Sequence, residues 1–203
     1  MDFPIMLFFI IVIVFSAIFH EYMHAWVADQ LGDHTARHAG RLTLNPKAHI
    51  DPFGSVILPL IMALLPGNFL FAYAKPVPFN PYNLIYRRWG PAFVALAGPL
   101  SNLFLAFVFG MAVRYAPETS ATPFFMIIVM ANLALAVFNL VPIPPLDGSK
   151  LLYALLPDSM WQVKKALEQY GFVFLLIFIF FLFPVIIPIM SFLFELFTGY
   201  QGF

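Results

Sequence analysis

His20-Glu21-Tyr22-Met23-His24 lies at the far end of an apolar run. Histidines four positions apart share one face of a helix, one turn from each other. Two imidazoles so placed can hold one zinc ion, and the carboxylate between them can hold a water against it. Three ionisable groups at membrane depth are costly, since a charged side chain at a helix centre costs about 2.5–3.5 kcal/mol on insertion scales. A chain that keeps them there is read as using them. A catalytic zinc site takes three protein ligands and leaves a fourth position open for water. The chain has no cysteine, so it offers no thiolate ligand, disulfide or thiol nucleophile, and the third ligand must be a histidine or a carboxylate. Asp147 is the candidate, its other reading being an ordinary helix-ending Asp-Gly turn at the water boundary. It ends Asn139-Leu140-Val141-Pro142-Ile143-Pro144-Pro145-Leu146-Asp147-Gly148, where three prolines in four residues cannot continue a helix. The glycine that follows permits a sharp turn, so the carboxylate can be aimed back at the histidines. With that ligand set, Glu21 would take a proton from the water and pass it to the leaving amine.

Two amides accompany these groups. Asn102 follows Ala97-Gly98-Pro99-Leu100-Ser101 at the start of an apolar run. It is either a hydrogen bond between helices or a donor to a substrate carbonyl and the oxyanion formed from it. Asn139 has the same two readings.

The elements that must position these residues are membrane helices. Of 203 residues, 62% are hydrophobic and 10% charged, whereas a soluble domain is nearer half apolar and a quarter charged. The expectation is a single membrane-embedded domain over residues 1–203, with a core over 3–155 and a C-terminal helix or kinked helix pair over 170–198. Spans are read at 3–28, 91–115, 124–141 and 171–197. The first lacks a basic residue before its apolar run and a small-residue cleavage site after it, so it is read as retained. From Pro4 to His20 is roughly 24 Å at about 1.5 Å per residue, which places the histidines inside the bilayer near its second face. Net charge is zero, and no basic surface invites nucleic acid.

Residues 52–74 are apolar but broken by prolines and glycines. If they dip in and return, Arg37, Arg41, Lys47, Lys75, Arg87, Arg88, Lys150, Lys164 and Lys165 share one face and only Arg114 lies opposite. The positive-inside rule favours that arrangement. The fold class is therefore all-α polytopic: about four transmembrane helices, a re-entrant or interfacial hairpin, and an N-terminus outside with the active site near the cytoplasmic face. A short β segment is expected at residues 40–44, where polar and apolar side chains alternate. That strand, or the hairpin, would offer an edge to an extended substrate. Residues 75–81, Lys75-Pro76-Val77-Pro78-Phe79-Asn80-Pro81, read as a proline-fixed extended strip. His34 and His38 repeat the four-residue spacing, but in a polar loop where histidine is ordinary.

Phe19-His20-Glu21-Tyr22-Met23-His24, Ala97-Gly98-Pro99-Leu100-Ser101-Asn102 and the segment from Asn139 to Gly148 resemble, in order and spacing, the three signature segments of the site-2 protease family of intramembrane zinc metalloproteases. Gly40-Arg41-Leu42-Thr43-Leu44-Asn45-Pro46 and Ala74-Lys75-Pro76-Val77-Pro78 are similar to the connecting region of its compact members, without PDZ or CBS domains. The resemblance implies one Zn2+ per chain held by His20, His24 and Asp147, Glu21 as catalytic base, and a single-span membrane-protein substrate cut in or near its transmembrane helix. Two other classes compete: a membrane metal-ion carrier, and a non-catalytic relative that only binds substrate. The carrier would need polar groups toward the outer face, and Ser16 is the only one in residues 3–19. The non-catalytic relative would lack a ligand or Glu21, and all four residues are present. Substrate identity and oligomeric state are not legible in the sequence.

Overall fold

A computed structural model describes residues 3–49, 57 and 75–201. Six helices organise them: α1 (Phe3–Gln30), α2 (Gly90–Tyr115), α3 (Thr122–Asn139), α4 (Gly148–Leu155), α5 (Trp161–Ile177) and α6 (Ile187–Thr198). Among the described residues, four helical stretches are long and apolar enough to cross a membrane: Pro4–Gln30, Gly90–Tyr115, Thr122–Asn139 and Asp158–Val185. The molecule is an all-α, multi-pass membrane protein.

The central element is α2, which packs against α1, α3, α4 and α6. In lipid, helices associate through close van der Waals contact and hydrogen bonds, which favours small residues between them. The inward face of α2 has that composition: Ala95, Gly98, Ser101, Asn102, Ala106 and Gly110 are buried. Phe93, Leu100, Phe104 and Phe107 point outward and are exposed. At Gly110 an added Cβ would lie 2.6 Å from the Phe197 Cβ of α6, so the two backbones meet where only glycine fits.

The join from α5 to α6 is irregular, with a π turn over Phe178–Leu182 and a 3-10 turn over Phe183–Val185. Pro184 sits in that join, as the loss of a backbone donor requires. Beyond it, Phe194 of α6 packs with Ala106, Val129 and Leu133, and Arg114 Nη1 donates to Leu196 O at 2.6 Å. The stretch read as one kinked helix or two halves is thus two helical pieces, the second laid on α2 and α3.

One sequence expectation is corrected. No strand occurs among the described residues, and within residues 41–45 the chain bends at Leu42 and Thr43. Alternation alone suggested a strand, but side-chain hydrogen bonds fold the segment instead. Arg41 is buried, and its Nη2 donates to Lys75 O at 2.7 Å. The Thr43 carbonyl accepts from His49 Nε2 at 2.7 Å. The edge expected from residues 42–44 is therefore not there. The hairpin expected at 52–74 lies outside the described residues.

Candidate metal centre

Three elements converge at the end of α1. His20 and His24 come from successive turns of that helix, their rings edge to face with centroids 4.5 Å apart. Across from them runs α2, where Gly98 faces both imidazoles. A Cβ at position 98 would lie 2.5 Å from Nε2 of each, so the absence of a side chain there makes the room. The third element is the proline-rich turn after α3. It brings Asp147 Oδ2 to 3.0 Å from His20 Nε2 and 3.3 Å from His24 Nε2.

Asp147 precedes α4 at a position where aspartate ordinarily accepts a backbone N–H of its own helix. Its carboxylate makes no such bond and faces the histidines instead. Gly148 permits this for a reason other than turn conformation. Among the described glycines, positive φ occurs only at Gly32, Gly40 and Gly199. At Gly148, a Cβ would collide with the backbone of Leu140 and Val141, so glycine lets the chain pass close against the end of α3.

The far nitrogen of each ring decides the chemistry of the near one. His20 Nδ1 lies 2.6 Å from Asn102 Oδ1, and His24 Nδ1 lies 2.7 Å from Val94 O. Both partners accept, so both Nδ1 atoms carry the proton and both Nε2 atoms present lone pairs. The orientation of the Asn102 amide follows from its other end. Its Nδ2 donates to Asn132 Oδ1 at 2.9 Å and to Ser16 O at 3.3 Å, while Asn132 Nδ2 donates to Ile128 O at 2.9 Å. Asn102 and Asn132 are both fully buried.

Two bare imidazole nitrogens and a carboxylate oxygen therefore face one another. One ligand atom from each residue lies within 4.8 Å of the others. Three acceptors at this separation repel unless a cation stands between them. Two imidazoles and one carboxylate form a donor set of the catalytic zinc type, so the residues present fit the ion.

Glu21 is half-buried, and its Oε2 accepts from the Val77 N–H at 2.8 Å. Asn139, the other amide of the sequence reading, donates from Nδ2 to Leu135 O in its own helix at 2.9 Å. Asn132 and the Val77 backbone were not among the sequence candidates. An amide in the middle of an apolar span is the signal that marks Asn132; no residue type marks Val77, whose contribution is main chain.

Beneath the strip that carries Val77 is Asp33, fully buried. It accepts from the Thr35 hydroxyl at 2.5 Å, the Asn80 N–H at 2.6 Å and the Asn83 amide at 2.9 Å. Burial alone would raise the Asp33 carboxyl, but these hydrogen bonds outweigh it and hold the group below the usual carboxylate range.

The chain is similar to known proteins. A model of Peptidase family M50 matches residues 108–182. Three similar proteins are each named "Putative zinc metalloprotease". YwhC of Bacillus subtilis is 39% identical over 86% of this chain and 81% of its own length. Rip2 of Mycobacterium tuberculosis is 33% identical over 80% of this chain and 62% of its own. MJ0611 of Methanocaldococcus jannaschii is 34% identical over 74% of this chain and 73% of its own. No solved structure matches the chain.

Proposed function

The chain belongs to peptidase family M50 and is a zinc metalloprotease, and on that premise we propose that it hydrolyses a peptide bond in or near the transmembrane helix of a single-span membrane protein. The whole chain acts as one membrane-embedded domain, with its N-terminus outside and its active site near the cytoplasmic face. The positive-inside split of lysines and arginines supports that orientation.

In this reading His20 and His24 would hold zinc through Nε2 and Asp147 through its carboxylate. Zinc held there would lower the pKa of a water to roughly 7 and polarise a carbonyl. The Glu21 carboxylate takes the proton of the attacking water and delivers it to the leaving amine nitrogen. Asn102 orients His20 rather than stabilising an oxyanion, because its amide nitrogen is already directed at Asn132 and Ser16. Asn139 keeps the oxyanion role through its second amide hydrogen only, the first being donated to Leu135 O. Val94 O and Asn102 Oδ1 hold the two imidazole rings in the tautomer that binds metal.

The observation that carries the proposal is the meeting of His20 Nε2, His24 Nε2 and Asp147 Oδ2, with both Nδ1 atoms already bonded elsewhere. Purified protein should contain about one zinc per chain and should cleave some members of a mixed set of single-span proteins. Glu21→Gln should keep the zinc and lose cleavage. A Glu21→Gln protein that cleaves at the wild-type rate would exclude the assigned base.

A further inference from the structure

Residues 75–80 run past Glu21 as a strap without helix or strand, fastened at both ends. The Lys75 N–H donates to His49 O at 2.9 Å. Arg41 Nη2 donates to Lys75 O at 2.7 Å and Pro76 O at 3.4 Å. At the other end the Asn80 N–H donates to Asp33 Oδ2 at 2.6 Å. Between these fastenings, Pro76 and Pro78 have no N–H and hold φ near one value. Val77 therefore carries the only backbone donor of the Pro76-Val77-Pro78 segment, and that donor meets Glu21 Oε2. No other described residue bonds to the Glu21 carboxylate.

We propose that the Val77 N–H is a positioning group of the reaction: it holds Glu21 Oε2, so that Oε1 is the oxygen presented to the water. The proposal rests on the reading of Glu21 as the base. A glutamate on a helix has several accessible rotamers, and proton transfer requires its oxygen within hydrogen-bond reach of the water. A backbone donor has no rotamers of its own. The flanking prolines remove competing donors and keep the strap extended, so the bond forms without ordering a flexible segment. The side chain at position 77 is incidental to this role and the main-chain hydrogen is not.

The test uses the full-length protein in detergent and a single-span reporter protein that the wild type cleaves. Val77→Pro deletes the N–H and keeps the backbone extended. Its kcat should fall roughly tenfold to a hundredfold, the range expected for one hydrogen bond to a charged group. KM should stay within about twofold, and zinc at about one per chain. Val77→Ala keeps the N–H and should behave as the wild type. If Val77→Pro fails to fold, α-hydroxyvaline at position 77 replaces the N–H with an ester oxygen without adding a ring, and the same fall in kcat is expected. Wild-type kcat in a folded protein lacking this N–H would overturn the proposal, as would an equal loss in Val77→Ala. Cleavage retained by Glu21→Gln would remove the base and this proposal with it. Loss of cleavage in Glu21→Gln with full activity in Val77→Pro would overturn only the role of the strap.

Discussion

The chain contains two histidine pairs of identical spacing, His20 with His24 and His34 with His38, and they are put to different use. In both the rings meet edge to face, with centroids 4.5 Å apart in the first pair and 6.3 Å in the second. His20 and His34 each direct Nδ1 at a buried side-chain oxygen, Asn102 Oδ1 at 2.6 Å and Asp29 Oδ1 at 2.8 Å. The pairs part in what the remaining nitrogens meet. In the first, both Nε2 atoms face an aspartate that no Arg or Lys pairs with. In the second, Asp29 also pairs with Arg37, and both histidines lie exposed around a single-turn helix. Spacing supplies a shared face; a metal site also needs opposing elements that anchor the far nitrogens and bring in a carboxylate not neutralised elsewhere.

The largest effect that would sharpen this contrast is loss of the metal itself. His20→Ala and Asp147→Ala should each abolish stoichiometric zinc and, with it, cleavage. The double variant His34→Ala/His38→Ala should keep about one zinc per chain. Elemental analysis of the purified proteins decides it, and a zinc-depleted His34/His38 variant would erase the distinction between the pairs.

A smaller effect tests the anchors. Asn102→Leu removes the acceptor that fixes the His20 tautomer, and zinc affinity should fall about 10- to 100-fold, as for other groups that hydrogen-bond the far nitrogen of a metal-binding histidine. Asp29→Asn removes the acceptor charge beside His34 and should leave zinc affinity unchanged. Titration against a competing chelator measures both. Wild-type affinity in a folded Asn102→Leu protein would mean that the anchored Nδ1 is not what distinguishes the first pair.

What the sequence made legible follows from where local chemistry was sufficient. The spacing of His20, Glu21 and His24 at the end of an apolar run, and the prolines before Asp147, each demand a particular geometry, and the structure brings those residues together. The His34 and His38 pair was legible as ordinary because its surroundings are polar. Other features depend on partners far along the chain. Alternation at residues 40–44 suggested a strand, but whether alternating residues pair depends on a neighbouring backbone. Here Arg41 turns to the strap instead. Gly148 was read as a turn former, whereas its lack of a Cβ matters for the approach to Leu140. Asn132 gives the same signal as Asn102, an amide in an apolar span, but its function depends on Asn102, 30 positions away. Val77 acts through an atom that every residue except proline possesses.

The smallest effect concerns how the loop beside the second histidine pair supports the first. Asp33 ties the end of α1 to the strap through the Asn80 N–H, and its carboxyl is held below the usual range in the folded protein. A group whose folded pKa is depressed binds fewer protons folded than unfolded, so its contribution to stability is complete above the unfolded value of about 3.9. That contribution is lost as pH falls through the folded value. Wild-type protein in detergent should therefore keep its melting temperature from about pH 7 to pH 5 as far as this group is concerned, and lose stability below about pH 4. Asp33→Asn should melt a few degrees lower at neutral pH, in line with about 1–3 kcal/mol for a buried group left facing a mismatched donor. The gap to the wild type should narrow as the pH is lowered, because the variant has no charge left to lose. A constant gap from neutral to acid pH would show that the Asp33 charge does not fasten the strap. The loop would then support the site by shape alone.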